Sequence, residues 1–190
     1  MTLSYIPSDT NDEGIFKANA SGSLPNGKPV VVNADGTVSV VGETSVSQSA
    51  GSLSEFASSI GSSVLTGSTF DSSAGKVVVA YQDAGDSNKG KAAVGTVSGD
   101  SISFGTPVTF NTGQSSNFAA TFDSSNSKVV IAYTDIGNSN RGTAVVATVS
   151  GTNISFGSEA VFETGATYGA AAAFDSYNDK VVITYQDNSN

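Results

Sequence analysis

The chain has 190 residues, 21 glycines and a formal net charge of -9, with only 13% charged residues, about half the charged share of a typical globular domain. It contains no histidine, cysteine or tryptophan, which excludes Ser-His-Asp and Cys-His catalysis, zinc held by His or Cys, and disulfides within the chain. We therefore expect an acidic, all-β protein that is not an enzyme and carries no cofactor. We also expect it to bind no nucleic acid, because proteins bind nucleic acids mainly through Lys and Arg side chains that neutralise the phosphates.

The N-terminal segment, residues 1–45, shares nothing with the rest of the chain. Residues 1–23 have mixed polarity and no clear period, which favours an extended arm or an adaptor that orders only on a partner. Residues 28–32 and 37–41 are rich in valine and flank a turn that ends in Gly36, so they predict a β-hairpin. Apolar residues occur on both faces of this hairpin, namely Val30, Val31, Val32, Val38, Val40 and Val41. Because an isolated hairpin is marginal in water, we expect another chain to cover these valines, either copies of this protein, with a trimer favoured, or the sheet edge of a partner.

Residues 46–190 contain a tandem repeat. Residues 69–113 and 121–165 align without a gap at a spacing of 52 residues, with 28 identities in 45 positions, and residues 174–187 match the same pattern again. Each copy reads as four short strands separated by turns rich in Asp, Asn, Ser and Gly. We place a stray fourth strand at residues 51–56, whole four-stranded repeats at 66–110 (repeat 1) and 118–162 (repeat 2), and half a repeat at 170–187 (the partial repeat).

The second strand of each repeat carries apolar or small residues on both of its faces. In repeat 2, Val129, Ile131 and Tyr133 alternate with Val130 and Ala132, whereas a strand with one wet face would alternate apolar with polar residues. Four-stranded antiparallel units of about 40–50 residues in tandem are typical of β-propeller blades; a β-solenoid is the alternative. We therefore predict tandem four-stranded blades, a partial β-propeller that needs further repeats to close. The predicted core includes Val77, Val79, Val129, Ile131, Val181 and Ile183.

Residues 20–38 resemble the N-terminal segment of fibre or appendage proteins of marine tailed phages, notably those that infect cyanobacteria. The motifs Phe-Asp-Ser-Ser, Lys-Val-Val-Ile-Ala-Tyr, Val-Ser-Gly and Ile-Ser-Phe-Gly, between Phe122 and Gly157, are similar to the tandem repeats that follow in such proteins. This resemblance implies a structural protein of the virion, made in the host cytoplasm, that serves as a tail fibre or as a capsid or tail appendage. It also implies that residues 1–45 anchor the protein to the particle while residues 46–190 contact the host.

The partners implied by this resemblance are other virion proteins and a glycan or protein of the host surface. An alternative function is that of a carbohydrate-binding propeller lectin or a bacterial surface adhesin. We expect no membrane insertion, because no apolar run approaches the roughly 20 residues of a membrane-spanning helix.

The candidate ligand contacts are Tyr81, Tyr133 and Tyr185, which recur at the end of the second strand of each repeat. Propeller lectins bind sugars on aromatic residues between blades, so one interpretation is that these tyrosines contact a sugar ligand. The second, which we favour because the chain lacks tryptophan, is that the three rings pack between repeats and that each hydroxyl reaches a polar partner.

Acidic residues also recur with the repeat. Asp71, Asp123 and Asp175 occupy the same place in every copy, which predicts turn caps instead of the carboxylate pair of a polysaccharide-degrading enzyme. The loops at residues 83–90 and 135–142 offer oxygen ligands that suit calcium, but they lack the alternating acidic positions of a calcium loop. We therefore favour structural turns at both loops and predict no metal site.

Overall fold

The structure, a computed structural model, describes residues 2–4, 17–20, 30–35, 37–40, 54–61 and 66–188. Within these ranges the chain forms strands and turns, and its one helical element is a single 3-10 turn at Ile136–Asn138. The prediction of an all-β protein is therefore confirmed. No helix in the described ranges is long and apolar enough to cross a membrane. The chain divides into two compact units, Met1–Gln48 and Ser49–Asn190.

The N-terminal unit contains a four-stranded sheet with the order β1-β2-β4-β3. Its strands are β1 (Thr2–Ser4), β2 (Lys17–Ala20), β3 (Val30–Val32) and β4 (Thr37–Val40). Strands β3 and β4 pair antiparallel, with Val30 opposite Val40, so the predicted hairpin is present. The segment expected to be an extended arm contributes β1 and β2, and β2 runs parallel to β4. Val41 lies outside the described residues, and the covering of the hairpin by another chain stays a prediction.

The C-terminal unit is a curled antiparallel sheet of ten strands. The strands are β5 (Gly67–Asp71), β6 (Lys76–Asp83), β7 (Lys89–Ser98), β8 (Ser101–Phe104), β9 (Val108–Asp123), β10 (Lys128–Asp135), β11 (Arg141–Ser150), β12 (Asn153–Phe156), β13 (Ala160–Asp175) and β14 (Lys180–Asp187). Eight of them lie side by side in the order β14-β13-β11-β10-β9-β7-β6-β5, while β8 pairs with β7 and β12 pairs with β11. The sheet therefore runs without interruption through both whole repeats and the partial one.

Strands β9 and β13 are long because each pairs with a different neighbour along each half. Residues 108–114 of β9 lie beside β7, whereas residues 115–123 lie beside β10. The change of partner turns the sheet at this point, and β13 does the same between β11 and β14. Residues 111–117, which lie between the bounds given to the two whole repeats, are part of β9, since Ser115 and Ser116 pair with Asp135 and Thr134 of β10.

The core lies where strands of repeat 1 face strands of repeat 2, and it contains Val78, Val94, Phe110, Phe118, Val129, Ile131, Tyr133 and Val145. Three of the six predicted core residues are buried and three are half-buried: Val79, Val129 and Ile131 are buried, whereas Val77, Val181 and Ile183 are half-buried. The prediction is wrong for the last three. Two of these lie on β14, which ends the sheet order and has a strand on one side only.

The stray fourth strand predicted at residues 51–56 is not a strand in its described part, residues 54–56. The described residues that follow, up to Gly61, make one isolated bridge, between Ile60 and Asp83. The Ala84 N–H donates to the Ser59 carbonyl over 3.1 Å, and the Gly61 N–H donates to the Gln82 carbonyl over 3.4 Å. These two bonds hold the segment against the end of β6 but are too few for a strand ladder.

Candidate functional site

Each of the three candidate tyrosines packs against a phenylalanine that precedes it in the chain. The distances between ring centroids are 5.0 Å for Phe56 and Tyr81, 5.1 Å for Phe110 and Tyr133, and 5.2 Å for Phe162 and Tyr185. The planes are tilted or edge-on, which is the favoured arrangement for aromatic pairs. Phe56 and Phe110 come from chain that precedes the tyrosine's own repeat, so these pairs join successive segments.

The exposure of the three tyrosines differs sharply. Tyr81 is 1% exposed and Tyr133 is 0% exposed, whereas Tyr185 is 37% exposed. The first two rings therefore offer no surface to a ligand in this structure, and they serve as packing between segments. Ligand contact stays a prediction, and Tyr185 is the residue with ring surface available for it.

Glycines opposite the phenylalanines make room for these rings. A Cβ atom on Gly90 of β7 would lie 2.7 Å from the Phe110 ring, and a Cβ atom on Gly142 of β11 would overlap the Phe162 ring. No side chain fits at either position while the ring stays in place. The two glycines thus leave the space that the Phe110 and Phe162 rings occupy.

Hydrogen bonds between neighbouring strands recur at the same junctions. The Gln82 side-chain Nε2 donates to the Ser115 carbonyl over 2.7 Å, and the Thr134 hydroxyl donates to the Thr167 carbonyl over 3.0 Å. The matching backbone bonds run from the Ser115 N–H to Asn88 and from the Thr167 N–H to Asn140. Buried polar groups at the turning points of β9 and β13 are satisfied in this way.

In repeat 1 two lysines form ion pairs with the two aspartates of the loop after Tyr81. Asp83 accepts a hydrogen bond from the Gly85 N–H through Oδ1 over 2.9 Å, and its Oδ2 lies 2.8 Å from Lys91 Nζ. Lys91 also lies 2.8 Å from Asp86, which pairs with Lys89 at the same distance. The two carboxylates raise the pKa of Lys91, and the two lysines lower the pKa of Asp86.

In repeat 2 the equivalent positions carry one charge of each sign, Asp135 and Arg141, in place of two. Asn138 stands where repeat 1 has Asp86, and Thr143 stands where it has Lys91. Arg141 donates to Asn138 over 3.3 Å through Nη1. Four buried side-chain atoms in the described part of the chain have no hydrogen-bond partner: Asn111 Nδ2, Tyr133 OH, Asp135 Oδ1 and Arg141 Nε. Asp135 is only 6% exposed, so repeat 2 contains a buried carboxylate oxygen without the partners of its counterpart Asp83.

The surroundings of the tyrosine hydroxyls reflect the same difference. Burial raises the pKa of Tyr133, and the carboxylates of Glu159 and Asp135 raise it further. Burial and Asp83 also raise the pKa of Tyr81, but Lys91 opposes them. The surroundings of the Tyr81 hydroxyl therefore include a cation, Lys91, whereas carboxylates dominate the surroundings of the Tyr133 hydroxyl.

The hydroxyl of Tyr185 has a definite partner. It donates to Glu163 Oε2 over 3.0 Å, and Glu163 Oε1 accepts the Gly165 N–H over 2.8 Å. This hydrogen bond raises the pKa of Tyr185. The expectation that each tyrosine hydroxyl reaches a polar partner thus holds for Tyr185; the Tyr133 hydroxyl makes no hydrogen bond of ordinary length and angle, although Glu159 and Asn111 lie near it.

The recurring aspartates are turn caps, as predicted. Asp71 Oδ1 accepts the backbone N–H groups of Ser73 and Ala74, both over 2.9 Å. Asp123 and Asp175 accept the corresponding pairs in their own turns. Their carboxylates are therefore used in local structure. Among the residues that the structure describes, no group of three or more acidic side chains is placed to hold a metal ion.

No known protein family, curated protein or solved structure matches this chain. The candidate site therefore rests on its own geometry. Sequence reasoning identified the tyrosines but missed the roles of Phe110, Gly90 and Gln82. The recurrence of a Phe and of a Gly at the 52-residue spacing was a signal that would have found the first two.

Proposed function

We propose that residues 66–188 are tandem blades of a β-propeller-like scaffold and that the protein is a structural component of a phage virion. Residues 1–45 anchor it to the particle, as part of a tail fibre or of a capsid or tail appendage, and the repeats face the host surface. The sequence resemblance supports the virion assignment. The geometry supports a scaffold.

The observation that carries the scaffold proposal is the recurrence of one packing arrangement along the chain. Strands β6, β10 and β14 begin at Lys76, Lys128 and Lys180, and each brings its tyrosine against a phenylalanine at about the same distance. Strand β5 also lies directly against β9, since a Cβ on Gly67 would be 3.0 Å from the backbone of Phe118. Close approach of corresponding strands in successive repeats supports stacked blades.

The use of the polar residues supports a structural role over catalysis. The three recurring aspartates accept hydrogen bonds from N–H groups of their own turns. The tyrosines of repeats 1 and 2 are buried and pack against other side chains. The aspartates that could form a catalytic carboxylate pair thus already have a structural role as turn caps. We therefore propose no enzymatic activity.

The N-terminal sheet supports the role of an anchor. Strand β3 is at the edge of the sheet order β1-β2-β4-β3, and its sequence is Val30–Val32. An edge strand leaves a row of backbone donors and acceptors that another strand completes. A virion protein or further copies of this chain, with a trimer favoured, would supply that strand.

The decisive experiment follows the protein into particles. The full chain and a variant lacking residues 1–45 are expressed with the same epitope tag during infection by the phage that encodes the protein, and purified particles are examined by immunoblot and immunogold labelling. We expect the full chain in particles and the truncated chain in the lysate only, folded as judged by its thermal melt. Particles that carry both proteins at equal copy number would contradict the anchor, and particles that carry neither would contradict the virion assignment.

One observation favours a second function, that of a carbohydrate-binding lectin or adhesin. The Tyr185 ring is 37% exposed and its hydroxyl is oriented by Glu163, and an exposed ring beside a carboxylate suits a sugar ligand. A glycan array with the full chain tests this. Binding that is lost in Tyr185→Ala but kept in Tyr177→Ala, whose ring is 94% exposed in a turn, would support it; an array without signal would end it.

A further inference from the structure

The sheet of each repeat has two faces, because successive side chains of a strand point to opposite sides. We name these faces by the second strand of the repeat. The front face carries Val77, Val129 or Val181, and the back face carries Val78, Val130 or Val182.

The core joins the back face of repeat 1 to the front face of repeat 2. Val78 pairs with Val94 on the back of repeat 1, and both are 0% exposed. Phe122 pairs with Val129 on the front of repeat 2, and they are 9% and 0% exposed. All four side chains belong to one buried cluster. The junction between the two whole repeats therefore shows that a back face and a front face of these sequences fit each other.

The front face of repeat 1 is partly uncovered. Phe70 is 57% exposed, whereas Phe122 at the same place in repeat 2 is 9% exposed. Val97 is 58% exposed, whereas its counterpart Val149 is half-buried against the core. Phe56 covers Tyr81 on this face but leaves the other two side chains open. Since the residue types are identical in the two repeats, the difference in exposure follows from what lies in front of each.

The back face of the partial repeat is uncovered too. Val182 is 49% exposed, whereas Val78 at the same place in repeat 1 is 0% exposed. Ala173, which pairs with Val182, is also exposed. Terminal repeats of tandem arrays usually carry a polar outer face, but this face keeps the valine and alanine of an interior one.

A polar residue of the junction is kept on the same back face. Gln82 and Thr134 occupy corresponding positions, and their side chains donate to the carbonyls of Ser115 and Thr167 in the repeat that follows. The residue at this position in the partial repeat is Gln186, which is exposed. The back face thus retains both the apolar surface and the side-chain donor with which repeat 1 holds repeat 2.

We propose that the back face of the partial repeat binds the front face of repeat 1 in a second copy of this chain. Phe70 and Val97 of the second copy then lie where Phe122 and Val149 lie within one chain. The occupant is a second copy because this chain carries both uncovered faces, and its internal junction already joins such a pair. The inference rests on the stacked blades proposed above.

Such an interface is heterologous, since it joins two different faces of the same protein. Heterologous contacts close into a ring or continue as a filament, and the rotation between successive blades of a propeller favours a ring. The assembly is therefore distinct from the pairing of N-terminal hairpins, which uses another part of the chain.

The test compares the full chain with Phe70→Asp and Val182→Asp by analytical ultracentrifugation. Each substitution places a charge in the contact and should weaken self-association by about 30-fold or more. Both side chains are exposed, so thermal melts should show that the two variants fold like the parent chain. Tyr177→Asp, at a turn residue that is 94% exposed, is the control and should associate like the parent.

A mixture of the two variants gives the decisive result. Phe70→Asp keeps an intact back face and Val182→Asp keeps an intact front face, so the mixture should form a 1:1 pair although neither variant associates with itself. Cross-linking provides a second measurement, because the chain contains no cysteine. A short bis-maleimide should join Phe70→Cys to Val182→Cys but neither variant to itself, which decides the matter even where the hairpins also hold copies together.

Three results would overturn the inference. A parent chain that stays monomeric would mean that a different protein covers these faces or that they remain open. Association lost in Val182→Asp but kept in Phe70→Asp would indicate that two β14 edges pair with each other. A cross-link that is absent from the mixture, or equally strong within each variant, would exclude the front-to-back contact. None of these results affects incorporation into particles, which tests the proposed function separately.

Discussion

The loops after Tyr81 and Tyr133 follow corresponding strands, β6 and β10, and each of these tyrosines packs against a phenylalanine, yet the charged groups of the two loops are paired differently. In the first, both oxygens of Asp83 have partners, the Gly85 N–H and the Lys91 ammonium. In the second, the corresponding Asp135 Oδ1 is buried and has none. The strand framework is thus maintained by apolar packing and backbone pairing, while the polar residues at its ends are free to diverge. The two loops therefore share their strands and their ring contact, and they differ in how Asp83 and Asp135 are paired.

The largest expected effect tests how far packing depends on position in the sheet. Ile131→Ala in β10 removes a fully buried side chain and should lower the free energy of unfolding by about 2–5 kcal/mol. Ile183→Ala, at the corresponding place in β14, removes a half-buried side chain and should lower it by about 1 kcal/mol or less. Urea unfolding measures both, and equal losses would show that β14 is as well covered as β10.

The next effect concerns the glycine that leaves room for a phenylalanine ring. Gly90→Ala places a methyl group 2.7 Å from the Phe110 ring, and the displaced ring should reduce stability by about 1–3 kcal/mol. Gly157→Ala is the control, because its nearest heavy atom would be 3.7 Å away and the change should stay within about 0.5 kcal/mol. Thermal melts of the two variants that coincide would rule out a steric role for Gly90.

A smaller effect isolates the balanced charges of repeat 1. Lys91→Met leaves Asp83 and Asp86 without their shared cation and should reduce stability by about 0.5–1 kcal/mol at neutral pH. Because the folded-state pKa of Asp86 is lowered from 3.8, the contribution is present above that pH and is lost as the pH falls through the lowered value.

The measurement for this variant is a series of melts between neutral pH and acid. The gap between the parent chain and Lys91→Met should close on acidification. Lys76→Met is the matched control, since Lys76 donates to the Thr96 hydroxyl over 2.9 Å and its gap should not change in the same way. A gap for Lys91→Met that persists in strong acid would show that packing of the alkyl stem, and not charge, is responsible.

The smallest effect is expected at the unpartnered hydroxyl of repeat 2. Tyr133→Phe removes a buried hydroxyl that makes no hydrogen bond of ordinary length and angle, so the free energy of unfolding should change by no more than about 0.5 kcal/mol or should rise. Tyr185→Phe loses the bond to Glu163 and should show a small loss. A marked destabilisation by Tyr133→Phe would show that Glu159 or Asn111, which lie near the hydroxyl, forms a hydrogen bond with it.

The all-β fold and most strands could be predicted because their signals are local. The apolar pattern of β6 and β10 repeats almost without change, and Asp71, Asp123 and Asp175 cap turns with their neighbours. The continuity of β9 could not be predicted in this way, because residues 111–117 are small and polar, and their pairing depends on a strand that is distant in the sequence. The half-burial of Val181 has the same cause, since it depends on a neighbouring strand and not on the residue itself.

The candidate site was predictable only in part. The tyrosines were found from their recurrence, but the sequence alone could not tell that Tyr81 and Tyr133 are buried and Tyr185 is not. Asp135 was judged by the spacing within its own loop, where the calcium pattern is missing. Asn111, whose Oδ1 borders the same point as Asp135 Oδ1, lies 24 residues earlier (135 − 111), and no rule about adjacent positions connects the two.

The sharing of β9 and β13 between neighbours has a mechanical consequence. A load applied along the chain passes from one repeat to the next through a continuous strand that is bonded to β7 on one half and to β10 on the other. The ladder with β7 stays with repeat 1 and the ladder with β10 stays with repeat 2, so separating the two repeats need not break either ladder. The load is carried by the covalent backbone of β9 and by the few bonds that cross the change of partner, such as those from Gln82 Nε2 to the Ser115 carbonyl and from the Ser115 N–H to Asn88. Those bonds should be the first to break when the chain is pulled.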